Sequence, residues 1–147
     1  MIPFKPWLDV NIKKVPSDDH GRYILAETVI DNTKVVLVNV YAPNDPNQQV
    51  VFLRALSNNI LGKCGNENLV LGGDFNCLIG TLDKRGGKPV DIRKASTIEL
   101  KALIKTHNLL DTWCYKNPDS FGPTWANPSM KIRCRLDHLF VSNQLSN

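Results

Sequence analysis

This chain has little that would tie it to a membrane or to an oxidising compartment. No apolar run approaches the ~20 residues that a bilayer-spanning helix needs. Met1 to Trp7 hold Pro3, Lys5 and Pro6, with no long apolar core and no small-residue cleavage site, so this stretch is not read as a secretory signal. The four cysteines, Cys64, Cys77, Cys114 and Cys134, form no CxxC pair and no Cys/His zinc pattern. They are expected to be reduced thiols in an intracellular protein. Charge of one sign is also scarce: the net charge of +4 permits a polyanionic partner without demanding one. Internal repeats and low-complexity tracts are absent.

What is present suits an ordinary folded domain. The length of 147 residues fits one domain with a sizeable core, and 42% of the residues are hydrophobic. After an irregular start with one short alternating piece, Val10 to Lys13, two strands are predicted. Tyr23 to Ile30 is the first. Val35 to Tyr41, apolar at nearly every position, reads as a strand buried on both faces. Asp31 to Lys34 supply the turn of a hairpin. Asp45, Pro46 and Gln48 then open a helix that runs to about Leu61, with Phe52, Leu53, Leu56 and Ile60 on its apolar face. Gly65 to Glu67 turn the chain into a central strand.

That strand is Leu69-Val70-Leu71-Gly72-Gly73-Asp74-Phe75-Asn76. Extended geometry would place Asp74 and Asn76 on one face, an acceptor beside a donor. The glycines permit unusual backbone angles and close approach. The alternative is simply a strand that ends in an Asx turn. A glycine-rich basic loop to about Lys94 follows, long enough to be functional or mobile. Ser96 to Glu99 read as a capping box opening a second helix that fades near His107. Leu109 to Trp113 packs back on the core.

The run from Arg133 to Ser142 reads as one alternating strand. An acid inside it needs an explanation: Asp137 either pairs with Arg135 or orients a base or a water. Basic residues gather at Lys84 to Lys88 with Arg93 and Lys94, and again at Lys131, Arg133 and Arg135. Each group alone reads as a solvated loop. Strands and helices interleave, giving an α/β or α+β class with one layered core.

Four signals stand in order: Asn39-Val40-Tyr41-Ala42-Pro43-Asn44, Gly72-Gly73-Asp74-Phe75-Asn76, Thr124-Trp125, and Arg135-Leu136-Asp137-His138. Their order and spacing resemble the endonuclease/exonuclease/phosphatase superfamily. The wording is most similar to the endonuclease domain of LINE-type non-LTR retrotransposons, and Leu109 to Trp113 matches that group as well. The resemblance covers about Gly21 to Ser142. It implies a deoxyribonuclease I-like layered β-sandwich flanked by helices. It also implies hydrolysis of DNA phosphodiester bonds with a divalent metal, usually Mg²⁺. Asp74 would orient and deprotonate the attacking water, and Asn76 would hold that water or a phosphate oxygen. Tyr41 would donate to the scissile phosphate, with Asn44 in support. Thr124 would sit at the DNA-facing edge, Arg135 among the basic residues that grip the backbone, and Asp137 beside a catalytic histidine. A reverse transcriptase domain in a longer parent, and a nuclear location, would go with that role.

The family's pattern also includes a first strand bearing Asn, a metal-binding Glu and a closing Ser-Asp-His, and these have no counterpart among these residues. His138 falls at an aromatic position of its strand, and His20 and His107 lie outside the motifs. The expectation is therefore a single partial domain over 1–147, truncated at both ends. Its metal site would lack a main carboxylate, with impaired nuclease activity and lower stability. A phosphatase of the same superfamily, a non-catalytic DNA- or protein-binding remnant, and a functionless relic remain open alternatives.

Overall fold

The computed structural model describes residues 20–30, 32–64 and 68–145. The expected piece Val10 to Lys13, Asp31 of the hairpin turn, and the turn Gly65 to Glu67 lie outside the described residues. A five-stranded mixed sheet dominates. It is built from β1 (Tyr23–Ile30), β2 (Thr33–Tyr41), β3 (Asn68–Asp74), β8 (Asp137–Ser142) and β5 (Leu109–Asp111), in that spatial order. A second, three-stranded sheet holds β4 (Lys84–Arg85), β7 (Arg133–Cys134) and β6 (Trp125–Ala126). The helices are α1 (Pro46–Ala55), α2 (Ala95–Thr106) and the short α3 (Thr112–Lys116).

The hairpin forms as expected, with Tyr23 opposite Val40 and Ile30 opposite Thr33. Asn32 takes the left-handed turn conformation at φ 63°. Strand β2 is buried from Val35 through Val38, because both of its faces are covered. On one face, Val36, Val38 and Val40 meet Leu69 and Leu71 of β3, Phe140 of β8, Leu53 of α1 and Leu100 and Leu103 of α2. On the other, Ala26, Val35 and Leu37 form a smaller cluster with Ile30 and Val70. That second face is only partly covered: Ile24 is 49% exposed and Leu139 47%.

Helix α1 starts where its cap dictates. Asp45 accepts from the amides of Asn47 and Gln48 at 3.0 and 2.9 Å, and Pro46 takes the first helical position. After Ala55 the helix widens over Leu56–Ile60 and tightens over Leu61–Lys63. Helix α2 differs from expectation. It begins at Ala95, so Ser96 and Thr97 lie inside the first turn and are buried. Lys94 stands at the cap position with no side-chain cap hydrogen bond, and the Thr97 hydroxyl donates to Leu78 O at 2.9 Å. Glu99 reaches across to Arg54 of α1 at 2.9 Å.

Two further expectations change. The basic loop after Asn76 is organised around a buried carboxylate. Asp83 accepts from the amides of Ile79 and Gly80 at 2.8 and 2.9 Å, and β4 follows it directly. The run Arg133 to Ser142 is two strands. Strand β7 belongs to the small sheet and β8 to the large one, so the chain switches sheets at Arg135-Leu136. The alternation resets there. His138 and Phe140 are buried, whereas Asp137 and Leu139 are exposed, and Arg135 turns inward.

Candidate active site

Strands β2, β3 and β8 all bring site residues to one end of the large sheet. Parallel pairing sets Tyr41 beside Asp74, and antiparallel pairing sets Asp74 opposite Asp137. Tyr41, Asp74 and Asp137 therefore form one row across three strands, on one face. The Tyr41 ring is half exposed, with the Arg22 guanidinium 5.4 Å from its centroid. Gly73 makes the row possible. Its φ of 129° is closed to other residues, and a Cβ there would collide with the Val40 carbonyl oxygen.

Asp74 and Asn76 do not share a face as neighbours in an extended strand. Phe75 is fully buried against Phe140 and His138, and Asn76 takes the left-handed conformation at φ 47°. The strand ends in an Asx turn, the simpler of the two expectations for this stretch: the Asn76 amide donates to Asp74 Oδ1 at 2.8 Å. The same turn still holds both side chains at the site. Asn76 Nδ2 donates to Ala42 O at 2.8 Å, tying the end of β3 to the end of β2.

Gln49 carries no motif that marks it in the sequence, yet it is central here. It is 3% exposed, and its Nε2 lies 3.0, 3.1 and 3.0 Å from the carbonyl oxygens of Pro43, Phe75 and Asn76. One buried amide thus joins the loop after β2 to the loop after β3. The available signal is a polar residue on the inward side of an amphipathic helix, one turn after its cap. A cleft of about 510 Å³ opens beside it, lined by Asn44, Asn76, Lys84, Lys88 and Lys94 among others.

Across the row, Thr124 does not project as a free hydroxyl. Its Oγ1 accepts from the amides of Leu136 and Asp137 at 3.0 and 3.1 Å, fixing the start of β8. A second cleft of about 660 Å³, lined by Trp113, Thr124, Asp137 and Leu139 among others, lies on this side.

The expectation that Arg135 faces DNA is corrected by the structure, as is its pairing with Asp137. Its side chain is 4% exposed. It reaches Asp83 at 2.7 Å and grips both oxygens of Asp111 at 3.0 and 2.9 Å. Arg135 faces inward because the sheet switch reverses its side. Burial pushes the Asp111 carboxyl up, but His138, Arg135 and the Cys114 amide outweigh it and hold the group well below the usual carboxylate range. His138 is packed, not free. It stacks on Phe140, and its Nε2 lies 3.0 Å from Cys77 O. Its Nδ1 stands 3.6 Å from Asp111, beyond hydrogen-bond reach.

Asp74 shifts the other way. Burial raises its pKa and the Asn76 amide lowers it; the Asp137 charge raises it again and His138 offsets part of that, with a net upward result. The donors at this end are hard oxygens, the kind a small divalent cation takes. They fit such a cation in kind but not in number: among the described residues no group of three His, Cys, Asp or Glu side chains could hold a metal ion.

This architecture is a mixed sheet with helices on one face and an acid–amide turn at its strand ends. The chain belongs to the Endonuclease/Exonuclease/phosphatase family, which it matches over residues 4–147. A relative in Xenopus laevis, described as the transposon TX1 uncharacterized 149 kDa protein, is 32% identical over 111 residues. That match covers 74% of this chain and 8% of the relative. Among solved structures, an AP endonuclease from Archaeoglobus fulgidus superposes with a TM-score of 0.72 at 16% identity, over 94% of this chain and 59% of that one. The endonuclease domain of TRAS1, a telomere-specific non-LTR retrotransposon, superposes with a TM-score of 0.67 at 18% identity, over 97% and 59%. The chain thus spans well under two thirds of the proteins it matches. Among the described residues no helix is long and apolar enough to cross a membrane, and none of the four cysteines is in a disulfide.

Proposed function

We propose that this chain is part of a DNA endonuclease domain of a LINE-type retrotransposon, intracellular and working on nuclear DNA. The observation that carries the reading is the row Tyr41–Asp74–Asp137, with Asn76 pinned beside it. Phosphodiester hydrolysis needs a positioned water, a base, and donors for the charge that develops on phosphorus. Asp74 supplies the base. Partial burial and the facing Asp137 charge make its ionised form more basic than a free carboxylate. Of the two Asn76 amide protons, one is committed to Ala42 O and the other is left for the water or a phosphate oxygen. The Tyr41 hydroxyl donates to the scissile phosphate. A divalent cation, Mg²⁺ by family, would neutralise phosphate charge when bound near Asp74 and Asn76. With two carboxylates at the row, this chain would hold that cation weakly and cut slowly. It would act as a partial domain over 1–147 whose parent also carries a reverse transcriptase domain.

The test is nicking of supercoiled plasmid with Mg²⁺, beside a chelated control, an Asp74→Ala variant and the TRAS1 endonuclease domain. The expected result is nicking far slower than that domain's and abolished by chelator or by Asp74→Ala. Nicking indifferent to Asp74 refutes the assignment. A second reading, a non-catalytic DNA-binding remnant, is favoured by the absence of a three-carboxylate group among the described residues. It predicts salt-sensitive DNA binding that chelator does not change, with no cleavage in any lane. Hydrolysis of a soluble phosphoester without nicking would instead point to the superfamily's phosphatases.

A further inference from the structure

The two basic stretches are far apart in the sequence but become one surface in the fold. Strands β4 and β7 pair antiparallel, with Lys84 opposite Cys134 and Arg85 opposite Arg133. Gly86 locks this arrangement. Its φ is 85°, and a Cβ there would collide with the Lys131 carbonyl oxygen, so only glycine lets the two segments close together.

Opposite positions of an antiparallel pair point the same way. Arg85 and Arg133 therefore rise together from one side of the small sheet. Both meet the same ring: their guanidinium carbons lie 4.7 and 5.6 Å from the centroid of Phe121. Both side chains belong to exposed residues, and among the described residues neither has a carboxylate within ion-pair distance. Arg135, two residues along, spends its fork on the buried Asp83, the partly buried Asp111 and Cys114 Sγ. Like charges directly opposite on a sheet repel. Cation–π contact with Phe121 offsets only part of that. What remains is two preorganised guanidinium forks with unspent donors, the geometry that suits phosphate oxygens. Lys84 precedes Arg85 in the strand and so points to the other side of the small sheet, its Nζ donating to Lys88 O at 2.8 Å.

The small sheet also adjoins the candidate site. The Thr124 amide donates to Cys134 O of β7 at 2.9 Å, and the Thr124 hydroxyl takes the Asp137 amide of β8. We propose that Arg85 and Arg133, steadied by Phe121, form a phosphate grip that holds the backbone of a nucleic-acid strand beside the Tyr41–Asp74–Asp137 row. The proposal rests on reading that row as a phosphodiester-cleaving site. Affinity from such a grip is independent of base sequence.

The experiment measures binding of a short labelled DNA duplex to the whole chain by fluorescence anisotropy, with chelator present, across a range of salt. Each phosphate contact contributes about 0.9 to the slope of log K against log salt. Arg85→Gln/Arg133→Gln is expected to cut the slope by about 1.8 and weaken binding by about tenfold. Arg85→Lys/Arg133→Lys, which keeps charge and fold, should keep the slope and lose affinity. Phe121→Leu should weaken binding with both charges in place. Lys101→Gln/Lys105→Gln, equal in charge removed but on α2, should leave the slope nearly unchanged. Equal losses from the α2 pair and the arginine pair would overturn the grip, as would normal binding by the arginine variant. Both of those outcomes leave the cleavage reading standing, since the wild-type chain still binds DNA. A wild-type chain that binds no duplex at low salt overturns both.

Discussion

Two pairs of carboxylates in this fold face opposite fates. Asp83 and Asp111 are turned inward around Arg135, and every oxygen among them meets a guanidinium or a backbone amide. Asp74 and Asp137 face each other across β3 and β8 without a cation between their strands among the described residues. In the first pair, His138, Arg135 and the Cys114 amide hold the Asp111 carboxyl well below the usual carboxylate range. In the second, the Asp74 carboxyl is raised above its usual range, first by burial and then by the facing Asp137 charge. Like charge left uncompensated lowers stability and raises reactivity. The paired acids stabilise the junction between the sheets, and the unpaired ones are available for chemistry.

The sharpest way to break that contrast is to unpair the structural acids. Asp111→Ala strips Arg135 of its bidentate partner and the Cys114 amide of its acceptor, leaving the buried guanidinium with Asp83 alone, at a cost of about 2–3 kcal/mol. Urea unfolding at pH 7 would read it, and a loss under about 1 kcal/mol would mean the network is not structural. The pH dependence carries its own sign. A carboxyl whose folded pKa is depressed stabilises the fold above its ordinary value of 3.8 and loses that contribution as pH falls toward the folded value. The gap between wild type and Asp111→Ala should therefore narrow as the pH drops below about 4.

Next in size is Gln49→Leu. It removes the donor shared by three loop carbonyls, at a cost of about 1–3 kcal/mol. If Gln49 sets the site's geometry, any metal-dependent nicking should fall more than stability does. Equal retention of cleavage would reduce Gln49 to a packing residue.

The smallest expected effect on stability is Asp74→Asn. The amide keeps an oxygen for the Asn76 N–H while removing the charge that burial and Asp137 disfavour. A group with a raised folded pKa loses stability as pH rises through that value. The variant should therefore match or exceed wild-type stability at pH 7, by about 0.5 kcal/mol at most, while any cleavage that rests on the proposed role of Asp74 is lost. A clear destabilisation would place Asp74 with the structural acids instead.

Much of the strand and helix framework is legible in the order of residues alone. The hairpin, the Asp45 cap and the doubly buried β2 follow from local chemistry: turn residues, caps and apolar runs act over a few positions. The motifs around Tyr41, Asp74, Asn76 and Asp137 are legible too, since each is a short pattern at a strand end. The features that mislead share one cause. Arg133 to Ser142 alternates like a single strand, and nothing local marks the switch of sheets at Arg135. Ser96 to Glu99 has the letters of a capping box, yet the helix starts one residue earlier at Ala95, burying Ser96 in its first turn, and Glu99 pairs with Arg54 of a distant helix.

By itself, then, the sequence determined the local elements, the acid–amide turn after Gly73 and the family to which the chain belongs. Only the tertiary structure decided which charges are spent. It turned Arg135 inward, left Arg85 and Arg133 outward on one ring, and enlisted Gln49 and Asp83 from helix and loop. The physical reason is that a charged side chain's role depends on what the fold sets within a few ångströms of it. For these residues the deciding neighbours come from distant parts of the chain.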